Sequence, residues 1–274
     1  SKGNVVTPKG LLEKYGSDAV RYWATSARLG LDAAFEEAQI KIGRRLAIKI
    51  LNASKFALSM GLPWDADEAT KAAAPAPSLD ASEVSEPVDQ AVLLGLADVV
   101  DAATAAFDNF EHARALEVAE SFFWTFCDDY LELVKERAYN REGNWSDQAS
   151  ASARAALAIA IDTFVRLLAP YLPFVTEEVW SWYREGSVHQ AAWPTASDLE
   201  VTPDGTVEGA IEDASSMLLG VASEALVVLR RVKSEAKVSP RTPFLEVTVS
   251  APEQMIPLLE DVLEDLAAAT KIQG

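Results

Sequence analysis

The stretch Ala38–Phe56, AQIKIGRRLAIKILNASKF, settles what kind of fold to expect. At the 100° per residue of an α-helix, Lys41, Arg44, Arg45, Lys49, Asn52 and Lys55 fall within one arc of roughly 140°. Ile42, Leu46, Ile50, Ala53 and Ala57 fall on the other side. The pattern is an amphipathic helix whose polar face carries one sign of charge, with no acid between Lys41 and Lys55. Solvated helix faces normally mix both signs. A pure basic stripe therefore points to contact with a polyanion as readily as to water.

That stripe stands out against the rest of the 274-residue chain, whose formal net charge is −18. Residues 1–61 hold ten Lys and Arg against five Asp and Glu, while residues 62–274 hold fourteen against thirty-seven. An average this acidic argues against nucleic acid, because phosphate binding relies on cations displacing counterions. The segregation restores the possibility for the first part of the chain.

Working outward, Leu11, Leu12 and Tyr15 predict a short helix ended by Gly16, and Ser17 predicts the N-cap of another through Val20, Trp23 and Ala24. Asp32 or a neighbouring acid is expected to cap the basic helix, which Gly61-Leu62-Pro63 stops. Residues 63–87 are rich in Pro, Ala, Ser and acids and read as a surface loop. Two helical stretches follow from Val88 to about Tyr139, the second starting at Asn109 or a nearby polar residue, and a third runs from Asp147 to Leu168. Pro170 and Pro173 force a break, with a new helix start expected at Thr176, Glu177 and Glu178. A long helix is predicted over 207–237. FLEVTVS, 244–250, alternates and is β-branched like a half-buried strand, and one more helix is expected from Pro252 to Ala269. A lone strand forms no sheet, so it needs a partner.

Candidates for chemistry are few. There is no Gly-rich phosphate loop, nucleophile elbow or metal-binding His pair. Cys127, His112 and His189 are too few for a structural zinc site, and no metal is expected. Adjacent carboxylates, Asp128-Asp129 and Glu177-Glu178, point in different directions on a helix and do not face one substrate together. Phe123, Phe126 and Tyr130 recur at helical spacing and are expected in a core, with Cys127 beside them. His189 is read as a packing residue and His112 as partly exposed. A second basic group, Arg230, Arg231, Lys233 and Lys237, sits where a helix C-terminus favours cations in any case. No apolar run of roughly 20 residues is evident, and the N-terminal SKGN lacks the layout of a signal peptide. No membrane partner and a cytoplasmic setting are expected.

Several blocks together resemble class I aminoacyl-tRNA synthetases. SKGNVVTPKGLLEKYGSDAVRYW, 1–23, resembles the stretch after their catalytic Lys-Met-Ser-Lys-Ser loop. GRRLAIKILNASKFAL, FCDDYLELVKERAY, LLAPYLPFVTEEVW and SVHQAAWP look like successive signatures of the anticodon-binding domain shared by the valine, isoleucine, leucine and methionine enzymes. With LGLDAAF and LVVLRRVKSEAKVSP added, the valine enzymes are the nearest match and the isoleucine enzymes the next. The resemblance implies a mainly α fold, a helical bundle of the anticodon-binding type, with a small α+β C-terminal segment. It implies three parts: residues 1–40 as the end of the catalytic loop and a stem-contact linker, 41–194 as the helical anticodon-binding domain, and 195–274 as a truncated α+β subdomain. Ser1 and Lys2 would be the remnant of the ATP-handling loop. Lys41, Arg44, Arg45, Lys49, Asn52, Lys55, Arg231 and Lys233 would be tRNA-binding residues. The partner would be a valine-specific tRNA and not DNA, the protein a monomer. ATP and magnesium would serve the intact enzyme, whose catalytic core this chain lacks, so the chain alone would be inactive. The competing reading is a helical scaffold for protein contacts.

Overall fold

The structure is a computed structural model that describes residues 7–28, 30, 35–60, 76–201 and 208–273, with side chains from 217 onward in the last range. Its helices are α1 (Pro8–Tyr15), α2 (Ser17–Thr25), α3 (Glu37–Leu58), α4 (Pro87–Asp108), α5 (His112–Thr125), α6 (Leu131–Tyr139), α7 (Asp147–Leu168), α8 (Pro173–Trp180), α9 (Glu208–Glu235), α10 (Ile256–Asp261) and α11 (Leu263–Thr270). The chain divides into two units, one built from Ser1–Phe56, Val99–Ser121 and Ile161–Thr195, the other from Ala57–Asp98, Phe122–Ala160 and Ala196–Gly274.

In the first unit α3 buries Ile40, Leu46, Ile50 and Ala53, as its apolar stripe dictates; Ile42 is only half-buried. Gly43 lies against Tyr22 of α2. A Cβ there would stand 2.6 Å from Tyr22 Cβ and 2.7 Å from Cγ, the rigid base of the side chain rather than its free end. The Tyr22 ring is itself buried and its hydroxyl donates to Glu120 at 2.7 Å. Gly43→Ala should therefore destabilise the unit. The ~1 kcal/mol gain in helix propensity is outweighed by an overpacking cost of about 1–3 kcal/mol, and a urea midpoint at or above wild type would refute this.

Helix α8 begins at Pro173 rather than at Thr176. The physical reason is a cap brought in from α2: Asp18 accepts from the amides of Phe174 (3.0 Å) and Val175 (2.8 Å). Two of the helix's otherwise unpaired first donors are satisfied and a carboxylate meets the positive end of the dipole. Arg21 Nε donates to Pro170 O at 2.8 Å, so α2 holds both sides of the proline break. Thr176 is interior, its hydroxyl bonded to Leu172 O at 2.9 Å. Glu177 accepts from Val188 N and the Ser187 hydroxyl.

The second unit packs Leu93, Leu96, Phe123, Phe126, Tyr130 and Leu133 among its fully buried side chains. Phe126–Tyr130 forms a π-turn between α5 and α6 that buries Phe126, Cys127 and Tyr130, which confirms the core reading of the aromatic run. Below it lies a buried polar cluster. Arg137 uses all five of its N–H donors: Nε on Asp265, Nη1 on Asp89 (2.8 Å) and Ala149 O (2.9 Å), Nη2 on Asp89 (2.9 Å) and Asp265 (2.9 Å). Tyr130 and Ser152 also donate to Asp89, at 2.8 and 2.7 Å, and the Ser152 hydroxyl accepts from the amides of Ser85 and Glu86. One guanidinium thus ties the first turn of α4, α6 and α11 together.

Burial pushes the Asp265 carboxyl up to about 6, against the pull of Arg137. An unfolded aspartate ionises near pH ~4. Between about pH 4 and 6 the native state therefore holds a proton that the unfolded chain has lost, and this group's contribution to stability falls as pH rises through that window. Urea midpoints across it should show the decline in wild type and lose it in Asp265→Asn; parallel profiles would refute the assignment.

Three expectations are corrected. Residues 244–250 form no strand: among the described residues the only pairing there is an isolated parallel bridge between Phe244 and Ile272, and Leu245 is 80% exposed. A strand without a neighbour has no ladder to hold it. The Pro252–Ala269 helix is broken at Val262 (φ −115°). Finally, α4 is long and apolar enough by composition to cross a membrane. Its Val88, Val92, Leu93 and Leu96 are core residues and Asp89 is the buried partner of Arg137, which is the signature of a core helix. The expected cap at Asp32 lies outside the described residues.

Candidate nucleic-acid interface

The basic stripe of α3 forms as its spacing requires. Lys41, Arg44, Arg45, Asn52 and Lys55 are exposed and Lys49 is half-buried. From Lys41 to Lys55 the helix rises about 21 Å, with the six residues distributed over four turns.

The N-terminal end of this face is braced by α1. Arg44 Nη1 donates to Lys14 O at 2.6 Å, satisfying a carbonyl at the C-terminal end of α1. Glu37 in the first turn of α3 accepts from Lys14 Nζ at 2.8 Å and from the Tyr15 hydroxyl. The hydrogen bond from Lys14, then that from Tyr15, holds the Glu37 carboxyl below the usual carboxylate range, and Lys41 adds a small pull in the same direction. The Lys14 ammonium is correspondingly raised by Glu37. Beside this brace lies an open cleft of about 430 Å³ lined by Leu12, Tyr15, Asp18, Arg44, Ile48 and Phe174, among others. Sequence reasoning found the stripe but missed Lys14, Tyr15 and Glu37, because i to i+22 and i+23 partners leave no periodic signal.

The second basic group divides. Arg231 is exposed. Lys233 is buried, donating from Nζ to Pro240 O (2.9 Å) and Thr270 O (2.7 Å) with the Phe244 ring 4.7 Å away. Burial, then nearby Lys271, pushes its ammonium below its ordinary range. Its expected place at the interface is therefore corrected: it fastens the end of α9 to the C-terminal segment. Arg230 donates to Asp128 O in the π-turn at 2.8 Å and stands 3.9 Å from Glu132. Ser1 and Lys2 lie outside the described residues. His189 is exposed, with Nε2 3.1 Å from Pro173 O, and among the described residues no group of three or more His, Cys, Asp or Glu is placed to hold a metal ion.

Residues 89–249 match the family described as the anticodon-binding domain of tRNA ligase, and the chain belongs to that family. It is 52% identical to the valine–tRNA ligase of Salinispora tropica over 98% of this chain, 52% to that of Bifidobacterium longum subsp. infantis over 100%, and 52% to that of Thermobifida fusca over 99%. The chain spans 30%, 30% and 28% of the lengths of those relatives. Among solved structures, the LeuRS of Agrobacterium radiobacter K84, determined as a ternary complex with tRNA and LeuAMS, matches 92% of this chain and 29% of its own at a TM-score of 0.54. At 18% identity that likeness carries the fold alone.

Proposed function

We propose that this chain is the tRNA-holding part of a valine–tRNA ligase, with the exposed face of α3 laid along the RNA backbone of the anticodon arm. The observation that carries it is the stripe of Lys41, Arg44, Arg45, Asn52 and Lys55 on the surface of an otherwise acidic protein. Cations at about one turn's spacing suit phosphates, which position an RNA without specifying it. Arg231 is a second contact of the same kind. Base-specific reading of the anticodon falls to other residues. ATP- and magnesium-dependent ligation of valine belongs to the longer protein, with Ser1 and Lys2 at the edge of its ATP-handling loop. The chain works as a monomer in the cytoplasm.

The deciding experiment measures binding of a valine tRNA, and of an unrelated RNA of equal length, at low salt. Tighter binding of the valine tRNA supports the reading. Equal binding of both removes the specificity, and no binding of either removes the interface and favours a protein-docking role for the helices.

A further inference from the structure

One exposed apolar residue interrupts the basic face of α3. Ile48 falls inside the arc of Lys41, Arg44, Arg45 and Asn52, one turn from Arg44 and one from Asn52, and 48% of it is exposed. It lines the cleft of about 430 Å³ beside the Lys14–Glu37 brace, which lies wholly within the first unit, between the α1–α2 elbow, α3 and the start of α8. Two more large apolar side chains line the same cleft with much of their surface in water, Leu12 at 41% and Phe174 at 66%. Phe174 stands on a fixed base, since Asp18 accepts from its amide at 3.0 Å and so ties the first turn of α8 to α2. Opposite charges sort the parts of a nucleotide here. Arg44 and the rest of the stripe attract phosphate, whereas Glu13 and Asp18, which also line the cleft, repel it. The neutral, planar base is the part that suits the interior: apolar walls take its faces, and carboxylates accept from its N–H groups.

We propose that this cleft receives one unstacked base of the bound RNA, packed against Phe174 and Ile48 while its phosphate lies on Arg44. The proposal rests on the RNA-binding reading of α3 and adds a contact with a base to a stripe that supplies contacts with phosphate. The cleft is continuous with that stripe through Arg44 and Ile48, which are members of both.

The test measures binding of a valine tRNA to Phe174→Ala, Phe174→Tyr and Ile48→Asn across a salt series. Phe174→Ala should weaken binding by about 5–150-fold, the worth of one base stacked on an aromatic ring, and Phe174→Tyr should bind as wild type does. Ile48→Asn, on the α3 side of the cleft, should weaken binding in the same sense. The slope of log K against log salt should stay at the wild-type value in all three, since no phosphate contact is lost; Lys41→Gln with Arg45→Gln should flatten it. Ultraviolet irradiation of the wild-type complex should crosslink the RNA to the peptide that holds Phe174. Binding by Phe174→Ala as tight as by wild type, or a loss that Phe174→Tyr does not restore, overturns the proposal while the stripe variants still weaken binding. If the stripe variants also bind as wild type does, the RNA-binding reading of α3 falls with it.

Discussion

Arg137→Ala is expected to lower the unfolding free energy of the second unit by about 3–5 kcal/mol, the range for removing one partner of a buried ion pair. The side chain is 3% exposed, and its two carboxylate partners are exposed by 0% (Asp89) and 8% (Asp265). Without the guanidinium, Asp89 and Asp265 face each other across a buried site, and the Ala149 carbonyl is left without its donor. Neutralising both acids by taking up protons relieves the repulsion only at the expense of holding those protons at neutral pH. A companion variant separates charge from shape. Arg137→Met with Asp89→Leu and Asp265→Leu removes all three charges and should recover part of the stability, the Tyr130 and Ser152 hydroxyls and the Ala149 carbonyl still lacking the partners they have in wild type. Urea denaturation of both variants measures this. A single variant within about 1 kcal/mol of wild type would show that water reaches the cluster and screens it.

Much of the helical plan was legible, and the reasons are local. The apolar period of 147–168 marks α7 to the residue, and the stripe of α3 follows from the spacing of six residues within one helix. What escaped is non-local. Asp89, Arg137 and Asp265 lie 48 and 128 residues apart, and nothing near any of them marks it as buried. Asp18 lies in the first turn of its own helix, while its carboxylate serves the amides of α8. That misplacement explains the error at Thr176: the local cap signal was present, but a better cap arrived from elsewhere. Lys233 failed for the related reason that a lysine at a helix C-terminus looks alike whether its ammonium meets solvent or two carbonyls. The strand expectation at 244–250 was correct in propensity and wrong in outcome, since a ladder is a property of pairs.

The candidate RNA interface makes the second large prediction. Lys41→Gln with Arg45→Gln should weaken tRNA binding by about 10–100-fold near 0.1 M salt and flatten the slope of log K against log salt by roughly 1.4–1.8, at about 0.7–0.9 for each phosphate that is no longer neutralised. Lys41→Glu with Arg45→Glu should weaken it further, because repulsion is then added to the missing attraction. Both positions are exposed on α3 and opposite its buried face, so the fold is expected to survive, and an unchanged urea midpoint checks that. The weakening should be uniform: valine tRNA and a non-cognate tRNA should drop by the same factor, since phosphate contacts carry no sequence information. A selective drop for valine tRNA would mean that these side chains reach base edges. An unchanged salt slope would remove α3 from the interface altogether and leave its basic face as a solvated surface.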